Sequence, residues 1–217
     1  MKRLNQLLLA NKAWATEITE EDPHYFVRQT GGQTPEFLWI GCSDSRVSAE
    51  QITQTAPGGM FIHRNVANLV DEADGNLMSV LQFAVDTLNV RHVILCGHYA
   101  CGGLMATLAG KAEGPIGDWL KGAAAVLDAH RDEICGHPSE EAQVNRFVEI
   151  NVRDQLLKLA RTRIVQEAWA RGQQLFLNGW VYDLRDGRLK PLMAIDASTA
   201  IEEIGHPDPV LLPSVPD

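Results

Sequence analysis

The chain has 217 residues, 45% apolar and 22% charged, enough for a real core in one α/β domain or two small ones. Its net charge of -9, without any Lys/Arg cluster, excludes the electrostatic footprint of nucleic-acid or anionic-membrane binding. No apolar run approaches the ~18 residues of a membrane span.

The N-terminal stretch MKRLNQLLLANKAW superficially resembles a signal peptide. Asn5, Gln6 and Asn11 interrupt it, and Glu17, Glu20 and Glu21 follow without a small-residue cleavage site. Leu4, Leu7, Leu8, Trp14 and Ile18 instead recur at helical spacing, which predicts an amphipathic helix over residues 3–20. The expectation is a cytoplasmic protein forming a single domain over 1–217, with residues 1–30 as an N-terminal helical arm.

GGQTPEF reads as a turn, and FLWIGC as a buried parallel strand. VSAEQITQ follows as a helix with Ser48 as its cap. PGGMFIHRNVAN is a turn, a short strand and a loop. In NLMSVLQFAVDTLNV, apolar residues at 77, 80, 81, 84, 85 and 88 form one helix face. RHVILCGH is a second buried strand, and CGGLMATLAG opens another helix. Residues from about 116 to 171 read as helix throughout, broken near CGHPSEE. QQLFLNGWVYDLRDGRLKPLMAI is strand, Asp-Gly turn, strand. GHPDPVLLPSVPD is proline-rich and reads as irregular. The alternation predicts an α/β fold: a mostly parallel central sheet flanked by helices, with a C-terminal antiparallel strand addition.

Four cysteines stand at 42, 96, 101 and 135, and a chain of this kind is not expected to carry a disulfide framework. Cys42 ends one strand, while His98 and Cys101 follow another. Ligands collect at the carboxyl ends of strands in open α/β sheets. Two cysteines and a histidine suit zinc and leave one of its four positions open, which marks a catalytic site. His-x-x-Cys alone is a weak signal, and free cysteines are often small buried apolar residues. Cys96 and Cys135 are assigned to that plainer role. His24, His63, His92, His130, His137 and His206 are scattered and read as surface or structural residues.

CSDSR followed by GHYACGG, with 55 residues between Cys42 and His98, resembles the β-class carbonic anhydrases. PEFLWIGCSDSR, HRNVAN and GWVYD extend the resemblance over most of the chain. It implies zinc on Cys42, His98 and Cys101, and reversible hydration of carbon dioxide to bicarbonate and a proton by zinc-bound hydroxide. It also implies that Asp44 orients the bound water while Arg46 holds Asp44 by a bidentate ion pair. Released from Arg46, Asp44 becomes the fourth zinc ligand and closes the site. By the same resemblance, Phe61, Val66 and Phe83 line the substrate pocket, although each also reads as plain core. Gln33 donates a hydrogen bond to substrate, and the Gly102 N–H supports developing charge. Phe83 departs from the tyrosine of many relatives and has no hydroxyl to relay a proton.

A narrower resemblance is to bacterial-type members with a non-catalytic bicarbonate pocket. Trp39, Arg64 and Tyr182 match its residue types. Filling that pocket would favour Asp44 on zinc and make bicarbonate an inhibitor. The plainer reading packs Trp39 and Tyr182 in the core and pairs Arg64 with a carboxylate. The family also implies dimers or tetramers. Hydrolysis of a carbonyl sulfide- or carbon disulfide-like substrate and a non-enzymatic bicarbonate-binding or assembly role are the competing functions. Neither nucleic acid nor membrane is expected as a partner.

Overall fold

The computed structural model describes residues 2–209, which fall into two units divided between Thr34 and Pro35. The first contains α1 (Lys2–Glu21) and α2 (Tyr25–Gln29). The helical spacing of the leucines is realised, yet α1 buries none of its residues: Leu4, Leu7, Leu8 and Leu9 are each about two-thirds exposed. Trp14 meets Phe26 edge to face at 5.4 Å, and Arg28 pairs with Asp22. Among the described residues no helix is long and apolar enough to cross a membrane.

The second unit is built on β1 (Phe37–Cys42), α3 (Ala49–Thr53), β2 (Met60–Asn65), α4 (Gly75–Gln82) and β3 (His92–His98). There follow α5 (Gly102–Leu108), α6 (Gly114–Trp119), α7 (Lys121–Ala129), α8 (Arg131–Cys135), α9 (Glu140–Arg161) and α10 (Arg163–Ala170). The hairpin β4 (Phe176–Asp183) and β5 (Arg188–Ile195) completes the sheet. Strand order is β2-β1-β3-β4-β5, parallel except for the antiparallel β5. Pro191 is accommodated because β5 is an edge strand.

Register sorts the sheet into two faces. Leu38, Phe61, Val93 and Leu177 lie in one row; Trp39, Ile62, Ile94 and Asn178 lie in the next. The first row faces the main core, where α9 packs on β3, β4 and β5. A Cβ on Gly97 would stand 2.6 Å from Val152, so glycine there lets α9 approach β3. The second row carries a smaller cluster of Trp39, Ala49, Ile94 and Cys96, joined by Ile52, Ile62, Trp180 and Tyr182. A Cβ on Gly41 would overlap the Trp39 indole nitrogen.

Local chemistry accounts for departures from the expected elements. The helix over 77–88 is α only to Gln82; Phe83–Thr87 is a π turn, with Leu88 N donating to Phe83 O at 2.9 Å. The expected helix from about 116 to 171 breaks also at Leu120, His130 and Thr162. Thr162 adopts an extended conformation and its side chain accepts from Val165 N, starting a new helix. Ser139 caps α9 in the same way, with Glu140 and Glu141 in the first turn and Lys158 and Arg161 in the last. Ser48 occupies the N-cap position of α3 but makes no capping bond. Cys96 is buried as expected, whereas Cys135, at the exposed end of α8, is not the buried apolar residue anticipated. The proline-rich tail is irregular through residue 209, and the remainder lies outside the described residues.

Candidate metal centre

β1 and β3 are adjacent and parallel, so the carboxyl ends that carry Cys42 and His98 lie side by side. Cys101 occupies the N-cap position of α5. Ala100, at φ 54°, takes the left-handed conformation that turns the chain from β3 into α5. A non-glycine residue pays about 1–3 kcal/mol for such a conformation, and surrounding structure has to hold it.

One donor atom from each of Cys42, His98 and Cys101 lies within 4.8 Å of the other two, and all three residues are buried. The sulfurs are 4.0 Å apart. His98 Nδ1 faces the Tyr99 carbonyl at 2.9 Å, which directs Nε2 inward; that nitrogen is buried and lacks a hydrogen-bond partner. A buried polar atom without a partner is costly, and two sulfurs and one imidazole nitrogen make a zinc donor set. The Cys101 thiol holds Cys42 well below the ordinary thiol range, against the effect of burial, while His98 and the N–H groups of Asp44 and Ala67 add to the effect. Cys101 is pushed up, first by that shared hydrogen bond and then by burial, while the N–H groups of Leu104 and Gly103 favour its thiolate.

The Asp44 carboxylate is clamped by Arg46. Arg46 Nε donates to Oδ1 at 2.9 Å, Nη2 to Oδ2 at 2.7 Å, and the Arg46 backbone N–H to Oδ1 at 2.9 Å. This pairing holds Asp44 far below the usual carboxylate range. Oδ2 also lies 3.7 Å from His98 Nε2. Arg64 acts on the same loop from β2: Nε donates to Cys42 O at 2.9 Å and Nη2 to Asp44 O at 2.5 Å. Its recorded partners are thus carbonyls rather than the carboxylate of the plainer reading.

Phe61 and Phe83 meet with ring centroids 5.7 Å apart, and Phe83, opening the π turn, is 43% exposed. Both Phe61 and Val66 pack on the main core. Gly102 opens α5. Gln33 is an exposed residue of the N-terminal unit. Trp39 and Tyr182 share the smaller cluster, where Trp39 is 1% exposed and edge to face with Trp180. Arg64 lines a groove of about 480 Å³ with Ser43, His63, Val66 and Trp119, and neither Trp39 nor Tyr182 borders it.

Several positioning residues were not singled out from the sequence. Ala67 and Asn68 both have positive φ in the loop after β2. Asn151 Nδ2 donates to Ala67 O at 3.2 Å, and Gln155 Oε1 accepts from Val70 N at 2.8 Å. Asn151 and Gln155 are fully buried and bonded to each other at 3.0 Å. Their i, i+4 spacing between the apolar residues Val148, Val152, Leu156 and Leu159 of α9 was the available signal. Tyr99, next to His98, donates to Glu149 at 2.8 Å, and Glu149 accepts from buried Arg146 at 2.6 Å.

Residues 37–189 match the family model described as carbonic anhydrase. The carbonic anhydrase of Emericella nidulans is 38% identical over 188 residues, covering 87% of this chain and 82% of the relative. A structure reported among two tetrameric β-carbonic anhydrases of Sordaria macrospora is 37% identical, with TM-score 0.86, covering 90% of this chain and all of that one. The Coccomyxa β-carbonic anhydrase, solved with acetazolamide, is 40% identical with TM-score 0.83, covering 88% and 87% of the two chains.

Proposed function

The chain belongs to the β-carbonic anhydrases, zinc enzymes that interconvert carbon dioxide and bicarbonate, and we propose that Cys42, His98 and Cys101 hold the metal while Asp44 orients the reacting water. The observation that carries this reading is the unpartnered His98 Nε2, buried beside two sulfurs and 3.7 Å from the Asp44 carboxylate. Zinc, when bound, supplies a Lewis acid that lets water ionise near neutral pH.

The remaining work belongs to the protein. Two thiolates offset the metal's charge, so a further group has to prepare the water. Asp44 stays ionised because Arg46 pairs with both its oxygens. As a carboxylate it only accepts, which aligns a water O–H with it and a lone pair toward the substrate carbon. Carbon dioxide is apolar; Phe61 and Val66, packed on the core, and Phe83 against Phe61 offer it an apolar wall, and the Gly102 N–H donates to its oxygens as charge develops. The Cys42 and Cys101 thiolates have to remain reduced, which suits the cytoplasm. The exposed leucines of α1 support assembly as a dimer or tetramer.

The finer regulatory reading rests on Arg64. It grips the Asp44 carbonyl while Arg46 grips the carboxylate. A bicarbonate ion captured by Arg64 would free the Asp44 backbone; Trp39 and Tyr182, outside the groove Arg64 lines, would add donors only once Arg64 leaves that groove for their cluster. Asp44 then leaves Arg46 and closes the metal position, so bicarbonate inhibits.

Zinc analysis with a carbon dioxide hydration assay on wild type, Cys42→Ser and Asp44→Asn tests the proposal. It requires zinc loss in the cysteine variant, and zinc retention with slow hydration in the Asp44 variant. A parallel assay with carbonyl sulfide and carbon disulfide separates the hydrolase reading.

A further inference from the structure

Two histidines and a glutamate converge in a place that shares no residue with the cysteine centre. His130 stands between α7 and α8, Glu133 lies in α8, and His206 belongs to the irregular segment after Glu203. One donor atom from each lies within 4.8 Å of the other two. The imidazole rings meet edge to face at 4.7 Å, and His206 Nδ1 faces Glu133 Oε2.

Two of the three side chains have a polar partner outside the trio, and the backbone on either side of the third is tied down. Asp154 Oδ2 lies 3.1 Å from His130 Nε2, the carboxylate–imidazole contact that fixes ring orientation around metals. Arg146 Nε donates to Glu133 Oε1 at 2.9 Å, so the other oxygen is the one turned toward His206. The segment around His206 has no helix or strand to fix it, yet it is strapped on both sides. Arg153 donates to Ile204 O at 2.7 Å and to Gly205 O at 3.0 Å, and Arg146 donates to Pro207 O at 2.8 Å. These three carbonyl contacts set His206 against Glu133 and His130.

We propose that His130, Glu133 and His206 form a second metal site, which takes a divalent transition cation such as zinc and staples the C-terminal segment to α8. Two imidazole nitrogens and one carboxylate oxygen suit zinc, nickel or cobalt better than magnesium or calcium, which prefer oxygen alone. Both rings would ligate through a neutral imidazole nitrogen. Three protein donors leave the fourth tetrahedral position to water. The role is structural: the ion ties a segment without regular hydrogen bonds to the helical layer.

Titrating zinc into enzyme already loaded at its cysteine centre, followed by calorimetry near neutral pH, tests the site. Wild type is expected to take up one further equivalent. His206→Ala and Glu133→Gln are expected to take up none while keeping the cysteine-bound equivalent. Amide exchange at residues 204 to 206 should slow in wild type on loading. No further uptake by wild type, or a further equivalent that survives in either variant, overturns the site. Uptake without slower exchange overturns the staple.

Discussion

The Asp44 carboxylate stands 3.7 Å from the unpartnered nitrogen of His98, and Arg46 keeps it there through both of its oxygens. On the proposed function this pairing holds a water-orienting carboxylate beside Cys42, His98 and Cys101 while keeping it on Arg46. Under that proposal, residues 42–46 would supply a ligand in Cys42, an orienting carboxylate in Asp44 and a latch in Arg46.

Removing the latch should separate metal binding from turnover. Arg46→Ala frees Asp44 to move onto the metal, while Cys42, His98 and Cys101 are untouched. Zinc content should stay at the wild-type level and carbon dioxide hydration should fall by about 10²–10⁴-fold, the range lost with a positioned proton acceptor. Arg46→Lys should recover little, because an ammonium cannot span both oxygens. Full activity in Arg46→Ala would remove Asp44 orientation from the mechanism.

Bicarbonate inhibition should depend on the second face of the sheet. Trp39→Phe and Tyr182→Phe keep most of the packing but remove an N–H and an O–H donor. Inhibition curves at fixed carbon dioxide should shift to higher bicarbonate in both. Curves that superimpose on wild type would leave Trp39 and Tyr182 as packing residues and Arg64 as a strut for Cys42 and Asp44.

Asp183 supplies a pH-dependent test of the fold. Burial alone would raise its pKa, but Arg185 and Lys190 outweigh burial and hold it far below the ordinary carboxylate range. A group depressed in the folded state stabilises fully above its unfolded pKa of about 3.9, and that contribution is lost as pH falls through the folded value. Asp183→Asn should therefore cost about 3 kcal/mol near pH 7, the low end for breaking a buried pair because both cations are partly exposed. In denaturant titrations the difference from wild type should narrow below about pH 4. A difference independent of pH would contradict the ionic account.

Gly97→Ala tests how α9 is seated on the strand that carries His98. The added methyl meets Val152 at 2.6 Å and Val148 at 3.1 Å. Overpacking should cost about 1–3 kcal/mol, read as a lower urea midpoint at unchanged slope. Val152→Ala in the same chain should restore part of it. An unchanged midpoint in the single variant would show that α9 has room to spare.

The convergence of Cys42, His98 and Cys101 was legible because the motifs that carry them are local. Cys42, Asp44 and Arg46 sit in one loop, and His98 and Cys101 in another; a parallel sheet needed only to set the two strands side by side. Arg64 was legible as a donor but not by destination, since its carbonyl acceptors come from the neighbouring strand's exit loop. Asn151 and Gln155 were hidden for the same reason: they support a loop more than eighty positions earlier. Apolar periodicity marked residues 77–88 as helical but could not show the π turn, which adds a residue without breaking the apolar face. Cys135 misled because residue type predicts burial only on average, and the end of a short surface helix exposes whatever stands there.

The most direct measurement is stopped-flow hydration of carbon dioxide by zinc-loaded wild type alongside Cys101→Ser, with zinc content and circular dichroism recorded on the same samples. The account predicts hydration well above the buffer rate for wild type, and loss of both zinc and hydration in a Cys101→Ser protein that remains folded. A folded, zinc-loaded wild type that hydrates no faster than buffer, or a Cys101→Ser variant as active as wild type, would contradict it.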